Sequence, residues 1–171
     1  GNVDSAMLKA KLENVLETTF DDLRGLINDM SPRSLKTKGL VGVLRERATL
    51  INQTQKVYVI VNVSRKFPKH LAEEYEVNLY RIAQELLQNT LKHASATEAT
   101  FYLDYIGKCL ILSYNDNGVG FDVAQAKHKN GNGLSNLQAR TQLLHGTMET
   151  HSALEQGMEV TIKIPYDFTL E

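Results

Sequence analysis

The sequence predicts an α/β (α+β) fold, a two-layer sandwich of a mixed sheet and helices that is preceded by one long N-terminal helix. Three observations carry this prediction. Apolar residues recur at helical spacing near the N terminus, β-branched and aromatic runs occur in pairs, and helical stretches separate those pairs. Paired strands with interspersed helices are typical of a sheet that is covered by helices on one face.

The first element is a long helix predicted over residues 5–30. Its apolar side chains repeat at alternating steps of four and three residues, which is a heptad pattern. Because a helix cannot bury such a seam alone, we expect it to pack on a partner helix; packing on its own domain is the alternative. Ser31-Pro32 interrupts this helix. The seam consists of Leu8, Leu12, Leu16, Thr19, Leu23, Leu26 and Met30.

A second helix, a strand and a third helix follow. Residues 40–51 place apolar side chains on one side of a helix, and residues 57–63 are β-branched and aromatic, which favours a strand. Pro68 separates that strand from a long helix over residues 71–93 with apolar inward positions.

Two strand pairs and a helix complete the predicted order. A tight turn at Gly107-Lys108 joins the first pair, and a turn around Gln156-Gly157 joins the second. The elements are strands at 97–106 and 109–115, a helix at 134–145 that stops at Gly146, and strands at 147–152 and 158–165.

The composition is that of an ordinary globular protein. The chain has 171 residues, 42% hydrophobic and 23% charged, with a net charge of −1. This charge provides no long-range attraction to nucleic acid or to an anionic membrane, so neither is expected as a partner. The single cysteine, Cys109, lies in an apolar run and is predicted to be a buried, reduced thiol. No apolar run is long enough to span a bilayer.

A polar stripe runs along the predicted helix at 71–93. At about 100° per residue, Glu85, Asn89 and Lys92 fall within roughly 60° of one another, with His93 beside them. A carboxylate, an amide oxygen and cationic groups are suited to hold a hydrated Mg²⁺ and a polyphosphate. A solvated helix face has the same pattern, so the stripe alone leaves both interpretations open.

Two glycine-rich segments follow the stripe. The segment 116–121 (DNGVGF) comes directly after a strand; its glycines permit close backbone approach, and Asp116 can accept a hydrogen bond from an exocyclic amine. The segment 131–134 (GNGL) opens a helix, whose free N–H groups favour phosphate. Each segment by itself is also typical of a turn or a flexible loop.

Together and in this order, the three motifs resemble those of the Bergerat-fold (GHKL) ATPases. That superfamily includes gyrase, the ninety-kilodalton heat-shock chaperones, mismatch-repair proteins and histidine kinases. The resemblance covers roughly residues 35–165. The matching segments are Glu85-x-x-x-Asn89-x-x-Lys92-His93, Asp116-x-Gly118-x-Gly120, Gly131-x-Gly133-Leu134 and a closing strand at 157–165.

Within the superfamily, residues 80–96 and 133–140 are similar to sensor histidine kinases that pair with DNA-binding response regulators. Residues 23–40 resemble the second helix of their dimerisation and phosphotransfer domain. The resemblance therefore implies that residues 1–33 are the C-terminal helix of a truncated dimerisation domain. Residues 34–171 would be the catalytic ATP-binding domain.

The resemblance implies ATP and Mg²⁺ as ligands. Asp116 would accept the adenine amino group and Asn89 would ligate the metal. Glu85 stands where hydrolysing relatives have their general base, and Lys92 would neutralise charge during catalysis. The other implied nucleotide-binding residues are Lys92 and His93 at the phosphates, Gly118 and Gly120 in the loop around the nucleotide, and Gly131, Gly133 and Leu134 in the lid.

The implied activity is that of a protein-histidine kinase, which transfers the γ-phosphoryl group to a histidine for relay to a response regulator. The implied partners are the protein's own dimerisation domain and a second subunit of a homodimer. The implied location is cytoplasmic, as part of a sensor that reaches the membrane only through further upstream segments.

The sequence departs from the family pattern in two places. None of the five histidines fits the phosphoacceptor position, so we expect the chain to bind ATP without phosphorylating itself. Met158 stands where the family usually has a threonine after the glycine. The exchange either is harmless at a tolerant position, which is the interpretation we favour, or weakens one phosphate-side or lid contact.

Three alternatives use the same fold. The first is a serine kinase of the anti-sigma-factor type, against which the heptad helix argues. The second is an inactive nucleotide-binding regulatory module, for which Met158 is the only sequence support. The third is a hydrolysing ATPase with a clamp role, against which the short lid and small size argue.

Overall fold

The computed structural model of the chain describes residues 7–9, 32–123 and 132–167. The predicted N-terminal helix over residues 5–30 lies outside this part of the chain apart from residues 7–9, which are helical. The described elements are α1 (Pro32–Gln53), β1 (Tyr58–Val63), α2 (Glu73–Asn89), a π-helical turn (Thr90–Ala94), β2 (Glu98–Ile106), β3 (Cys109–Asp116), α3 (Asn132–Leu143), β4 (Thr147–Ser152) and β5 (Met158–Pro165).

The five strands form one mixed sheet in the order β1-β2-β3-β5-β4. β1 runs parallel to β2, and α2 lies in the crossover that a parallel pair requires. The remaining neighbours pair antiparallel, as the β2–β3 hairpin, the β4–β5 hairpin and the β3–β5 pair. This topology confirms the predicted mixed sheet.

One face of the sheet is covered by helices and the other faces solvent, which confirms the two-layer sandwich. Inward side chains of the strands, such as Phe101 and Ile162, form one core with apolar side chains of all three helices. Tyr58 and Tyr102 point to the other face and are 59% and 43% exposed. The helical members of the core include Leu44, Ile51, Ile82, Leu86 and Leu137.

The helix that carries the polar stripe starts and ends differently from the prediction. α2 begins at Glu73, because the Glu76 carboxylate accepts the Leu71 N–H at 3.1 Å and holds that residue outside the helix. Acidic residues in its first turn complement the helix dipole. Its regular part ends at Asn89, and the chain continues in the π-helical turn.

The turns lie where the sequence predicts them, except that a different residue is left-handed after α3. Gly107 and Lys108 have φ of 57° and 63°, the pair of positive angles that suits a two-residue hairpin turn. After α3, the left-handed residue is His145, at φ 54°, instead of the predicted stop Gly146. Gly146 follows and donates its N–H to Thr141 O at 2.9 Å.

The prediction that Cys109 is buried was wrong. Cys109 is half-buried, because it is the first residue of β3 and pairs with the exposed Ile106 beside the hairpin turn. No helix in the described ranges combines the length and apolar character that a membrane crossing needs.

Candidate functional site

The end of α2 and the beginning of α3 meet at three of the predicted residues. Glu85 and Asn89 are half-buried and lie one turn apart on α2. A Cβ atom placed on Gly133 would lie 3.1 Å from Glu85 Oε1 and 3.2 Å from Asn89 Nδ2. The polar stripe and the second glycine segment, distant in sequence, are therefore in direct contact. Leu134 follows in the first turn of α3, half-buried, and Gly131 lies outside the described residues.

Lys92 and His93 lie in the π-helical turn rather than on the regular helix. Both side chains are exposed, and they are the basic residues at the C-terminal end of this helical segment. Cations are favoured there because the carbonyl end of a helix carries partial negative charge. Since the turn is wider than an α-helical one, the regular angular spacing of the stripe ends at Asn89.

The loop after β3 is pressed against the same turn. The Val119 N–H donates to Ala94 O at 2.7 Å. A Cβ atom on Gly118 would lie 2.3 Å from Ala94 O, so the loop can approach this closely only without a side chain at that position. Gly118 therefore joins the first glycine segment to the end of the polar stripe.

Gly120 packs on a different part of the molecule. Its φ is 62°, and a Cβ atom there would lie 1.9 Å from Ala153 O in the connection between β4 and β5. The Phe121 N–H donates to Ser152 Oγ at 2.9 Å, and Ser152 Oγ donates to Gly157 O at 2.7 Å. The loop is thereby held on both sides, by the π-helical turn and by the β4–β5 hairpin.

Asp116 is the last residue of β3 and presents a carboxylate that is fixed at both oxygens. The Tyr114 hydroxyl donates to Oδ2 at 3.0 Å, and the Gly118 N–H donates to Oδ1 at 2.9 Å. Burial raises the pKa of Tyr114, and the nearby Asp116 carboxylate raises it further, so the hydroxyl stays protonated as a donor. Each carboxylate oxygen retains a free lone pair for a further donor.

A cavity of about 680 Å³ opens at this end of the sheet. Asp116 lines it, whereas Glu85, Asn89, Lys92, His93 and Gly133 do not. Of the predicted residues that the structure describes, Asp116 lines the cavity, Gly120 packs on the β4–β5 connection, and the others lie around the end of α2. The lining residues are Glu98, Asn115, Asp116, Asn117, Val123, Thr150, His151, Ser152, Ala153, Gln156, Met158 and Glu159.

Met158 provides the apolar surface of this cavity beside Asp116. It is buried, and the strand register places it directly between Asp116 on β3 and Ser152 on β4. A flat apolar group can therefore lie on Met158 while its polar edge reaches the Asp116 carboxylate.

Several residues that shape the site were not among the predicted ones. Tyr114 could have been found, because a residue two positions before Asp116 in a strand shares its face. Thr90, whose hydroxyl contacts that of Tyr114, and Ser152 become visible only when distant elements are packed together.

Comparison with known proteins identifies the family. A family model described as histidine kinase-, DNA gyrase B-, and HSP90-like ATPase matches residues 74–167, more than half of the chain. The histidine-protein kinase/phosphatase DegS of Bacillus subtilis is 35% identical over 138 residues, which cover 78% of this chain and 36% of DegS. The oxygen sensor histidine kinase NreB of Staphylococcus carnosus is 31% identical over 157 residues, 91% of this chain and 44% of NreB.

Solved structures share the fold. The histidine kinase domain of the blue-light activated histidine kinase EL346 from Erythrobacter litoralis superposes with a TM-score of 0.64 at 18% identity, over 78% of this chain and 68% of that domain. Full-length ShkA in complex with AMPPNP gives a TM-score of 0.63 at 22% identity, over 79% of this chain and 31% of ShkA. The chain spans less than half the length of the curated relatives it matches. It belongs to the family of histidine kinase-, DNA gyrase B- and HSP90-like ATPases.

Proposed function

We propose that the chain is the ATP-binding catalytic region of a sensor histidine kinase and transfers the ATP γ-phosphoryl group to a histidine of a dimerisation domain. The observation that carries this proposal is the contact of Gly133 with Glu85 and Asn89, next to a loop that presents Asp116. The oriented Asp116 carboxylate suits the base of a nucleotide. The polar junction of α2 and α3, where Gly133 has no side chain, suits its phosphates.

Asp116 binds the base in this proposal. The exocyclic amine of adenine donates to a lone pair that the Tyr114 and Gly118 hydrogen bonds leave free. Gly118 and Gly120 set the path of the loop around the nucleotide, because each lies too close to a neighbouring carbonyl for a side chain. Met158 packs on the face of the base.

The residues at the end of α2 fit Mg²⁺ and phosphate. Mg²⁺ is usually held in nucleotide sites by one or two protein oxygens together with phosphates and water, and Asn89 offers one oxygen. Bound Mg²⁺ would neutralise phosphate charge. Lys92 and His93 are exposed basic residues that contact phosphates, and Gly133 and Leu134 bring N–H groups at the start of α3. Gly131, outside the described residues, stays a predicted member of the lid.

Catalysis then rests on positioning and charge neutralisation. Lys92 stabilises the charge on the transferred group, and Glu85 orients or deprotonates the accepting imidazole. Glu85 is suited to this role because its carboxylate faces Gly133, beside Asn89.

The relatives support the wider assignment. DegS and NreB are named as histidine kinases. We propose residues 1–33 as the C-terminal helix of the dimerisation domain and residues 34–171 as the catalytic domain. The proposed partners are a response regulator and a second subunit, and the proposed location is the cytoplasmic side of a membrane-bound sensor.

Calorimetric titration with ATP, with and without Mg²⁺, tests nucleotide binding. We expect Asp116→Asn to weaken ATP binding at least about 10-fold, the usual effect of losing a hydrogen bond to a charged group. Asp104→Asn is the matched control, because it makes the same change on β2, away from the cavity. Equal ATP affinity of the parent and Asp116→Asn would show that the adenine assignment is wrong.

Labelling with γ-labelled ATP tests the transfer step. We expect no label on the chain alone and acid-labile phosphohistidine after addition of the upstream dimerisation helices, in cis or in trans. The Asn89→Ala variant should lose this labelling. Stoichiometric phosphate release without labelled histidine would favour a hydrolysing ATPase instead.

A further inference from the structure

The Thr150 hydroxyl is buried without a hydrogen-bond partner. Among the side chains of the described residues, its Oγ1 is the buried polar atom for which no donor or acceptor is within reach. A buried hydroxyl without a protein partner is unfavourable for folding. A ligand that supplies the missing partner would remove this cost.

Thr150 lies in the cavity that Asp116 lines. It is a half-buried residue of β4, and it pairs with Val160 while Asp116 pairs with Met158, the next inward residue of β5. β5 separates β3 from β4, so the two polar residues stand on strands about 10 Å apart. Met158 lies opposite Asp116 and Val160 lies opposite Thr150, so a planar ring between the two polar residues would rest on these two apolar side chains of β5.

We propose that Thr150 is a second base-contacting residue, which hydrogen-bonds the edge of the bound purine from the far side of β5. The proposal rests on the nucleotide-binding function proposed above. Rotation about the Cα–Cβ bond exchanges the hydroxyl with the methyl group of a threonine. Thr150 lines the cavity while its Oγ1 is buried, and in the proposed complex this rotation would turn Oγ1 towards the base.

The pair selects a 6-aminopurine nucleotide. Asp116 only accepts hydrogen bonds, so it attracts the amine of adenine and repels the carbonyl oxygen that guanine carries at the same place. The Thr150 hydroxyl can donate to a ring nitrogen, which completes the contact without adding charge. We expect the parent protein to bind ATP more tightly than GTP.

Thr150→Val tests this role, because valine keeps the shape and removes the hydroxyl. We expect its dissociation constant for ATP to rise about 5- to 10-fold, as for one lost hydrogen bond. Its melting temperature should stay the same or increase, because the hydroxyl that is removed has no partner in the folded protein. Thr150→Ser retains a hydroxyl and should bind ATP within about 2-fold of the parent.

Thr161→Val is the matched control. Thr161 is a half-buried threonine on β5 that alternates with the inward Val160 and Ile162, outside the cavity. Its ATP affinity should equal that of the parent. This variant separates a specific contact from any general effect of replacing threonine by valine in the sheet.

The outcomes distinguish the two proposals. Parent protein that binds no ATP overturns the proposed function and this inference with it. If the parent protein and Thr150→Val bind ATP equally tightly, only the role of Thr150 is overturned. A Thr150→Val variant that melts more than about 3 °C lower also overturns it, because that loss indicates a structural hydroxyl.

Discussion

Tyr114 donates a hydrogen bond to the Asp116 carboxylate from two residues earlier in the same strand, at 3.0 Å. The strand therefore fixes the orientation of its own terminal acceptor. The raised pKa of Tyr114, due first to burial and then to the Asp116 charge, keeps the phenol neutral well above physiological pH. Asp116 is thereby supported by a buried donor that does not titrate under ordinary conditions.

Tyr114→Phe removes this donor and should weaken ATP binding. We expect the dissociation constant to rise about 5-fold, because the carboxylate loses one of the two groups that orient it. The free energy of unfolding should fall by about 1–2 kcal/mol, because the hydroxyl that is removed bonds Asp116 and also contacts the Thr90 hydroxyl. Calorimetry and urea unfolding measure the two quantities.

Tyr105→Phe provides the comparison for that variant. Tyr105 donates its hydroxyl to Tyr166 O at 3.0 Å, outside the cavity, so the variant loses one hydrogen bond with no site residue involved. We expect Tyr105→Phe to lose a similar amount of stability and to keep the ATP affinity of the parent protein. If both variants weaken ATP binding equally, Tyr114 has no special relation to the site.

Gly118→Ala should be strongly destabilising. The added Cβ would lie 2.3 Å from the backbone carbonyl of Ala94, and backbone can move aside only by distorting the helix end. We expect a loss of about 3 kcal/mol in the free energy of unfolding. Gly107→Ala, where φ is +57° and the space is open, should lose only about 1 kcal/mol. Urea unfolding that ranks the two variants in the opposite order would contradict this packing.

Gly133→Ala should affect the ligand more than the fold. Its Cβ would lie close to the ends of the Glu85 and Asn89 side chains, which can move, and alanine favours helix by about 1 kcal/mol over glycine. Stability should therefore be unchanged or higher. Affinity for ATP should fall about 10-fold with Mg²⁺ and less without it, because Asn89 is displaced. Equal affinities of parent and variant in Mg²⁺ would refute the contact's role.

The stability of the sheet should decrease in acid through Asp104. A hydrogen bond from Ser64, followed by one from the Tyr105 N–H, lowers the pKa of Asp104 below its ordinary value. The folded state therefore binds this proton less readily than the unfolded state. The stabilisation is present above the unfolded pKa, near about 4, and is lost as the pH falls through the folded value.

Asp104→Asn should reduce that pH dependence. Urea unfolding of parent and variant between about pH 3 and pH 7 measures it. We expect the free energies of the two proteins to differ most near neutral pH and to converge in acid. A constant difference across this range would show that Asp104 titrates alike in both states.

The local patterns predicted the fold well. The hairpin turn at Gly107 and Lys108, the closing hairpin β4–β5 and the helix before β2 were all set by turn residues and by apolar spacing. These features depend on residues that are neighbours in the sequence, so they could be predicted from a single sequence. The order of the polar motifs then led to the family that the comparisons confirmed.

Features decided by distant contacts were not predictable. The π-helical turn ends the regular α-helical spacing on which the predicted polar stripe from Glu85 to Lys92 was based. This turn occurs where Ala94 contacts Gly118. Thr150 resembles any threonine in a strand until the strand order places β4 on the far side of β5 from β3, which carries Asp116. The burial of Cys109 was overestimated because its apolar run was weighed above its place at the start of β3, beside the hairpin turn.

The bond from the Val119 amide to Ala94 O joins the loop beside Asp116 to the turn that carries Lys92 and His93. This hydrogen bond must break when either segment opens, so one backbone amide reports on both ends of the site. Hydrogen exchange at Val119 would therefore record how often the two segments part, and each ligand's effect on that frequency can be read from a single amide.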